Sequence, residues 1–187
     1  MKKAIVFVDV QNDFVKGGAL PFRYPAKDNV QKIVEFAKDC VDAYCNDSAD
    51  CVRIYATRDT HNGNYTASLE GQKLPVEHCV EGTEGWQIVS SLMDVLVGKC
   101  TFINKPTFGS YDLAEVIYED FDNDIDEIVL VGYDLSVCVL ANAVLLRAKY
   151  PDVKITVRTD LCGDVDRNAF EAALIVLKMQ MVDVESK

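Results

Sequence analysis

Three acids, a lysine, a cysteine and two histidines carry most of the chemistry this sequence could do. Cys138 lies in Val131-Gly132-Tyr133-Asp134-Leu135-Ser136-Val137-Cys138-Val139, a tight connection from an apolar run into an amphipathic one. That places the thiol in the first turn of a helix, where free N–H groups lower a thiol pKa and can also receive a developing oxyanion. A nucleophile is one reading of Cys138, and a buried inert cysteine is the other. Asp9 ends the apolar run Ala4-Ile5-Val6-Phe7-Val8. A carboxyl partly removed from water there should have a raised pKa, so that it could take a proton from a thiol and pass it to a leaving amine. The bland alternative is a loop acid or helix cap, which fits Asp13 equally well. Lys105, in Asn104-Lys105-Pro106, could hold Asp9 ionised or polarise a carbonyl, although an isolated lysine is usually a solvated surface charge.

A second constellation has the character of a metal site. In Thr57-Arg58-Asp59-Thr60-His61 the D-x-H spacing lets both side chains of an extended segment point the same way. His78 follows in Leu74-Pro75-Val76-Glu77-His78-Cys79, so the two histidines of the chain flank one loop, with Glu70 between them. Two imidazoles with carboxylate oxygens suit Zn²⁺ first, with Fe²⁺ or Mn²⁺ as alternatives. Cys79 is a competing soft ligand, and a loop-stabilising hydrogen bond is the non-metal reading of D-x-H.

These residues must be positioned by the elements around them. Apolar bursts near 4–8, 52–57, 101–103, 127–131, 154–157 and 182–184 read as strands. Helical periodicity marks 26–46, 86–97, 111–119, 136–149 and 167–179. Strands separated by helical segments imply right-handed crossovers: a doubly wound α/β domain, with a mostly parallel six-stranded sheet and helices on both faces. Such a sheet binds ligands at the carboxyl ends of its strands, near the point where strand order reverses. Asp9, Asp59 with His61, Lys105 and Cys138 each follow a strand, so the fold converges them on one edge. The stretch from Arg58 to Gly85 has no convincing periodicity and reads as a functional loop. Neither GxGxxG nor GxxxxGK[ST] follows a strand, which excludes the common nucleotide-binding loops.

The 187 residues form a single domain (1–187) on length alone, with 49% hydrophobic and 26% charged residues excluding wholesale disorder. With 19 basic against 30 acidic residues the net charge is −11, which disfavours nucleic acid and anionic membrane surfaces as partners and leaves a small neutral ligand. The seven cysteines are odd in number and contain no CxxC pair. Together with an opening segment unlike a signal peptide, they are read as reduced thiols of a cytoplasmic protein.

Val8-Asp9-Val10-Gln11-Asn12-Asp13-Phe14, Asp59-x-His61, His78-Cys79, Lys105, and Gly132 six residues before Cys138 together resemble the nicotinamidase branch of the isochorismatase-like cysteine hydrolases. The resemblance implies a catalytic triad of Cys138, Asp9 and Lys105, and an oxyanion hole from the backbone N–H groups of Asp134 and Cys138 beside a cis Tyr133–Asp134 peptide. It further implies a metal held by Asp59, His61, His78 and Glu70. The activity it implies is release of ammonia from a small carboxamide, nicotinamide first, by a homo-oligomeric enzyme, dimeric or larger. Two positions depart from the family. Leu74 stands near the place of an aromatic residue that packs on the pyridine ring, and Asp134-Leu135-Ser136 replaces the usual Ala-Thr-Asp. Phe14, Tyr65, Trp86, Phe108 or Tyr133 could supply the missing ring face; Phe14, Leu74 and Tyr133 are the substrate-pocket residues of choice. The competing readings are an N-carbamoyl amidohydrolase, an isochorismatase (which would lack the histidines and the cysteine), a papain-type Cys–His pair, and a silent interaction domain.

Overall fold

The computed structural model describes residues 1–25, 29–44 and 51–186. Six strands, β1 (Lys3–Val8), β2 (Val52–Asp59), β3 (Cys100–Lys105), β4 (Glu127–Gly132), β5 (Lys154–Cys162) and β6 (Asp183–Glu185), form one sheet in the order β3-β2-β1-β4-β5-β6, and every pairing is parallel. The expected architecture is therefore the observed one. Period-2 alternation in β1 serves two cores at once: Ala4, Val6 and Val8 face one side of the sheet, Ile5 and Phe7 the other. Helices α4 (Tyr111–Phe121), α5 (Leu140–Lys149) and α6 (Arg167–Met179) cover the first face, and α1 (Val30–Asp42) and α3 (Ser90–Leu96) the second. In α1 the buried Ile33, Val34, Ala37 and Cys40 form the apolar stripe that helical spacing requires.

Sequence patterning located most of these elements to within a few residues; β5 runs on to Cys162 where the expected strand ends at 157, and three further differences are informative. The expected helix 26–46 is observed as Val30–Asp42; positions 26–28 and 45–46 of the expectation lie outside the described residues. The expected helix 86–97 begins only at Ser90. Residues before it are extended against the chain after β1: the Asn12 N–H donates to the Gln87 carbonyl, the Val89 N–H to the Val10 carbonyl, and Gln11 pairs antiparallel with Ile88. Finally, the stretch from Arg58 to Gly85 is not structureless. It contains a 3-10 turn (Tyr65–Ala67) and a short helix α2 (Leu69–Lys73), whose Ser68 cap accepts from the Gly71 N–H. Neither is long enough to display a hydrophobic period.

The order reverses between β1 and β4, so the chain leaving β1 and the chain leaving β4 diverge there and open the crevice expected of such a sheet. Gly132 makes the approach possible. Its φ is +122°, and a β-carbon there would strike the Val8 carbonyl, the acceptor of the Tyr133 N–H at 2.9 Å.

Candidate active site

Asp9 leaves β1 with a φ of 51°, in the left-handed region that non-glycine residues seldom occupy, and is wholly buried. Thr57 Oγ1 donates to its Oδ1 at 2.7 Å, and Lys105 Nζ pairs with its Oδ2 at 2.6 Å. Lys105, at the end of β3, is only 1% exposed, so its ammonium must be satisfied by protein groups. Besides Asp9 it meets Asp59 Oδ1 at 3.3 Å, the Thr107 carbonyl at 3.1 Å and Cys138 Sγ at 3.4 Å. Burial alone would push Lys105 toward neutrality, but Asp9, Cys138 and Asp59 together hold its pKa well above the ordinary value. Burial lifts the Asp9 pKa, Lys105 opposes this, and Asp59 adds to it.

Cys138 sits in a π-helical turn, Leu135–Val139, that leads into α5, rather than in an ordinary first helical turn. The expectation of a lowered thiol pKa is not met. Burial raises it well above the usual range; Lys105 pulls it down, but the carboxylates of Asp9 and Asp59 and a hydrogen bond with Asp9 push it up. The environment thus favours the thiol form of Cys138, with Lys105 Nζ bridging its Sγ and the Asp9 carboxylate. Of the two N–H groups implied for the oxyanion hole, that of Asp134, after a cis peptide with Tyr133, has no acceptor among the described residues.

Beside this triad, ligand atoms of Asp59, His61, Glu70 and His78 lie within 4.8 Å of one another. Ligands of a tetrahedral Zn²⁺ at about 2.0–2.1 Å stand about 3.3 Å apart. Here His61 Nε2 is 3.0 Å from Asp59 Oδ2 and 3.6 Å from Glu70 Oε1, and His78 Nε2 is 3.5 and 3.4 Å from the same two atoms. Two neutral-capable imidazoles and two carboxylates at that spacing fit a divalent cation. His78 Nδ1 donates to the Val76 carbonyl at 2.8 Å, which leaves Nε2 free for a metal. Cys79 does not compete: its thiol lies in the core, and its backbone N–H donates to Asp13 Oδ2. Both histidines also stand edge-on to Tyr65, which occupies the ring-packing role inside the metal site and not in the pocket.

A cavity of about 410 Å³ connects the two constellations, within the usual span of small-ligand sites, about 300–1,000 Å³. Cys138, Asp134, Asp59, Glu70 and His78 line it, with Phe14, Leu74 and Phe108 as apolar walls. Phe14 and Phe108 are therefore the aromatic residues at the cavity. Tyr133, expected to line the pocket, does not. Its ring is fully buried and stacks on Phe22 at 4.6 Å, while its hydroxyl donates to Asn29, because Gly132 turns the side chain toward the core. Trp86 is likewise removed, under the Arg58 guanidinium with its Nε1 donating to Thr60.

Three positioning residues went unassigned in the sequence. Gln11, fully buried, donates to the Asp59 and Trp86 carbonyls and accepts from the Asp59 N–H, clamping the metal-side strand end to the chain after β1. Thr57 holds Asp9. Asn142 donates to the carbonyls of Cys138 and Phe108 and accepts from the Ser110 N–H, tying the nucleophile turn to the loop after β3. The available signals were a polar residue, Asn142, at a core-facing helical position and the place of Gln11 in the motif after the first strand.

A parallel sheet that gathers a thiol, a carboxylate and an ammonium at its switch point, next to a cluster of two histidines and two carboxylates, has the arrangement of a hydrolase site. The chain belongs to the isochorismatase family: the model of the Isochorismatase domain matches residues 3–186. It is 26% identical over 202 residues to the nicotinamidase of Escherichia coli K12, covering 95% of this chain and 90% of that protein. It is 25% identical over 193 residues to the nicotinamidase/pyrazinamidase of Mycobacterium tuberculosis H37Rv, covering 97% of each. Among solved structures, the nicotinamidase/pyrazinamidase of Bacillus subtilis superposes with a TM-score of 0.82 at 24% identity, over 98% of this chain and 99% of the other. The pyrazinamidase of Pyrococcus horikoshii in complex with zinc gives 0.75 at 23%, over all of both chains.

Proposed function

We propose that the protein is a metal-containing amidohydrolase that converts a small carboxamide, nicotinamide first, to the carboxylate and ammonia. The observation that carries this reading is the position of Lys105 Nζ, in contact with Asp9, Cys138 Sγ and Asp59 at once, which joins a nucleophile–base pair to a metal set across one cavity. Amidase relatives that span the chain end to end support the substrate class.

The reaction follows from the contacts. Asp9 takes the Cys138 thiol proton as the sulfur attacks the amide carbon, and Lys105 offsets the negative charge that is passed between them. The backbone N–H groups of Asp134 and Cys138 receive the carbonyl oxygen as it becomes an oxyanion. Asp9 returns the proton to the departing nitrogen, so that ammonia leaves and a thioester remains. Water deprotonated by Asp9 then hydrolyses the thioester. Asp59, His61, Glu70 and His78 would hold Zn²⁺, whose Lewis acidity offers a donor atom of the substrate ring, or a water, an anchoring point. On the same reading the protein acts in nicotinamide salvage in the cytoplasm as a homo-oligomer; no helix among the described residues is long and apolar enough to cross a membrane.

The test is Cys138→Ala. Ammonia release from nicotinamide should vanish, while circular dichroism and zinc content by atomic absorption stay at the level of the unaltered protein. Turnover retained by the variant would overturn the mechanism.

A further inference from the structure

Asp134 contributes its N–H to the reaction, but its side chain lines the same cavity as Cys138 with nothing to do there. The residue is 8% exposed, and its Oδ1 is buried with no hydrogen-bond partner. Native proteins rarely leave such an atom unpaired without cause. A structural duty is not visible. Asp134 precedes the turn Leu135–Val139 yet makes no side-chain capping bond, whereas Asp166 caps α6 through the N–H groups of Asn168 and Ala169. The neighbouring Asp164 is fully engaged, accepting from Ser136 N, Ser136 Oγ and Val165 N.

We propose that the Asp134 side chain is a specificity-determining group, hydrogen-bonding to an acceptor atom next to the carbon that bears the scissile amide. The inference rests on the amidase reading, since that reading puts the N–H of this same residue against the amide oxygen and so its side chain within a few ångströms of the amide. The kind of partner follows from charge. Burial first, then the carboxylates of Asp164 and Asp9, push the Asp134 pKa up to about 8, with His78 opposing them. At pH 7 the group is a neutral acid with an O–H to donate. The ligand it selects is an azine carboxamide with a ring nitrogen adjacent to the amide-bearing carbon. Pyrazinamide has that nitrogen in addition to the one it shares with nicotinamide; nicotinamide lacks it.

The experiment measures binding of both amides by calorimetry to zinc-loaded Cys138→Ala protein, alone and combined with Asp134→Ala or Asp134→Asn. No turnover is needed. The preference for pyrazinamide over nicotinamide should fall about tenfold with Asp134→Ala, the worth of one buried hydrogen bond, and be kept within about twofold by Asp134→Asn, whose amide still donates. It should also fade as pH rises and Asp134 ionises, in the protein that retains Asp134 only. Equal weakening of both amides, leaving the ratio unchanged, would overturn the inference while leaving the amidase reading in place. Failure of both amides to bind protein that retains Asp134 would overturn the amidase reading and the inference with it.

Discussion

Thr57 shows how a residue outside the proposed triad tunes the proposed base. Its hydroxyl donates to Asp9 and lowers a pKa that burial raises. Thr57→Val keeps shape and loses that donor, so the Asp9 pKa rises. In the proposed mechanism Asp9 is ionised to accept the thiol proton, so the acid limb of the kcat/KM–pH profile should move to higher pH, with kcat/KM at pH 7 falling about tenfold, the worth of a hydrogen bond to a charged group. A profile that coincides with that of the unaltered enzyme would contradict this role. The metal site has its own proton balance. In metal-free protein, burial lowers the His78 pKa, but hydrogen bonds with Asp59, Glu70 and the Val76 carbonyl outweigh it and raise the pKa to about 10. A metal ion arriving at Nε2 must displace that proton. Zinc binding at pH 7 should therefore release about one proton, and affinity should rise about tenfold per pH unit up to about pH 10. Calorimetry in buffers of different ionisation enthalpy reads the proton directly.

Among elements, the end of β4 is the most constrained. The Gly132 φ of +122° and its contact with the Val8 carbonyl leave no room for a side chain. Gly132→Ala should lower the stability to urea by about 3 kcal/mol or more, with loss of activity even where folded protein remains, since the nucleophile turn and Asp9 are set by the same β1–β4 approach. An unfolding midpoint within error of the unaltered protein would refute this. The strands and long helices were legible in the sequence because burial on two sheet faces writes itself as periodicity. Shorter pieces were not. The helix α2 spans barely more than a turn, and the extended residues before α3 are fixed by partners Val10, Gln11 and Asn12, far away in sequence. Gln11 belongs to the motif that carries the family resemblance, yet its clamp on Asp59 depends on β1 and β2 lying side by side.

At the scale of the molecule, the two rims of the sheet do different work. The carboxyl ends of the strands gather Asp9, Lys105, Cys138 and the histidine–carboxylate cluster, and the amino ends hold an ion-pair cluster in which Glu127 meets Lys3 at 2.6 Å and Lys154 at 2.8 Å. Burial pushes the Glu127 pKa up, but hydrogen bonds from Lys154 and Lys3 outweigh it, so that it lies below the usual 4.5. A depressed carboxyl pKa contributes stability above the unfolded-state value, and that contribution is lost as pH falls through the folded-state value. Glu127→Gln should thus cost about 1 kcal/mol at pH 7 and progressively less below pH 4.5, measured by urea unfolding across pH. A cost that is constant with pH would rule the pair out as the cause. By itself the sequence determined the α/β class, the strand ends that carry Asp9, Asp59, Lys105 and Cys138, and the family, because hydrophobic period and motif order are local properties of the chain. Only the tertiary structure decided that buried Lys105 meets Asp9, Cys138 and Asp59 at once, that burial raises the Cys138 thiol pKa, that Tyr133 turns inward and that Asp134 lines the cavity unpaired. Each of those depends on which groups the crossovers bring within a few ångströms, and on the loss of water that comes with it.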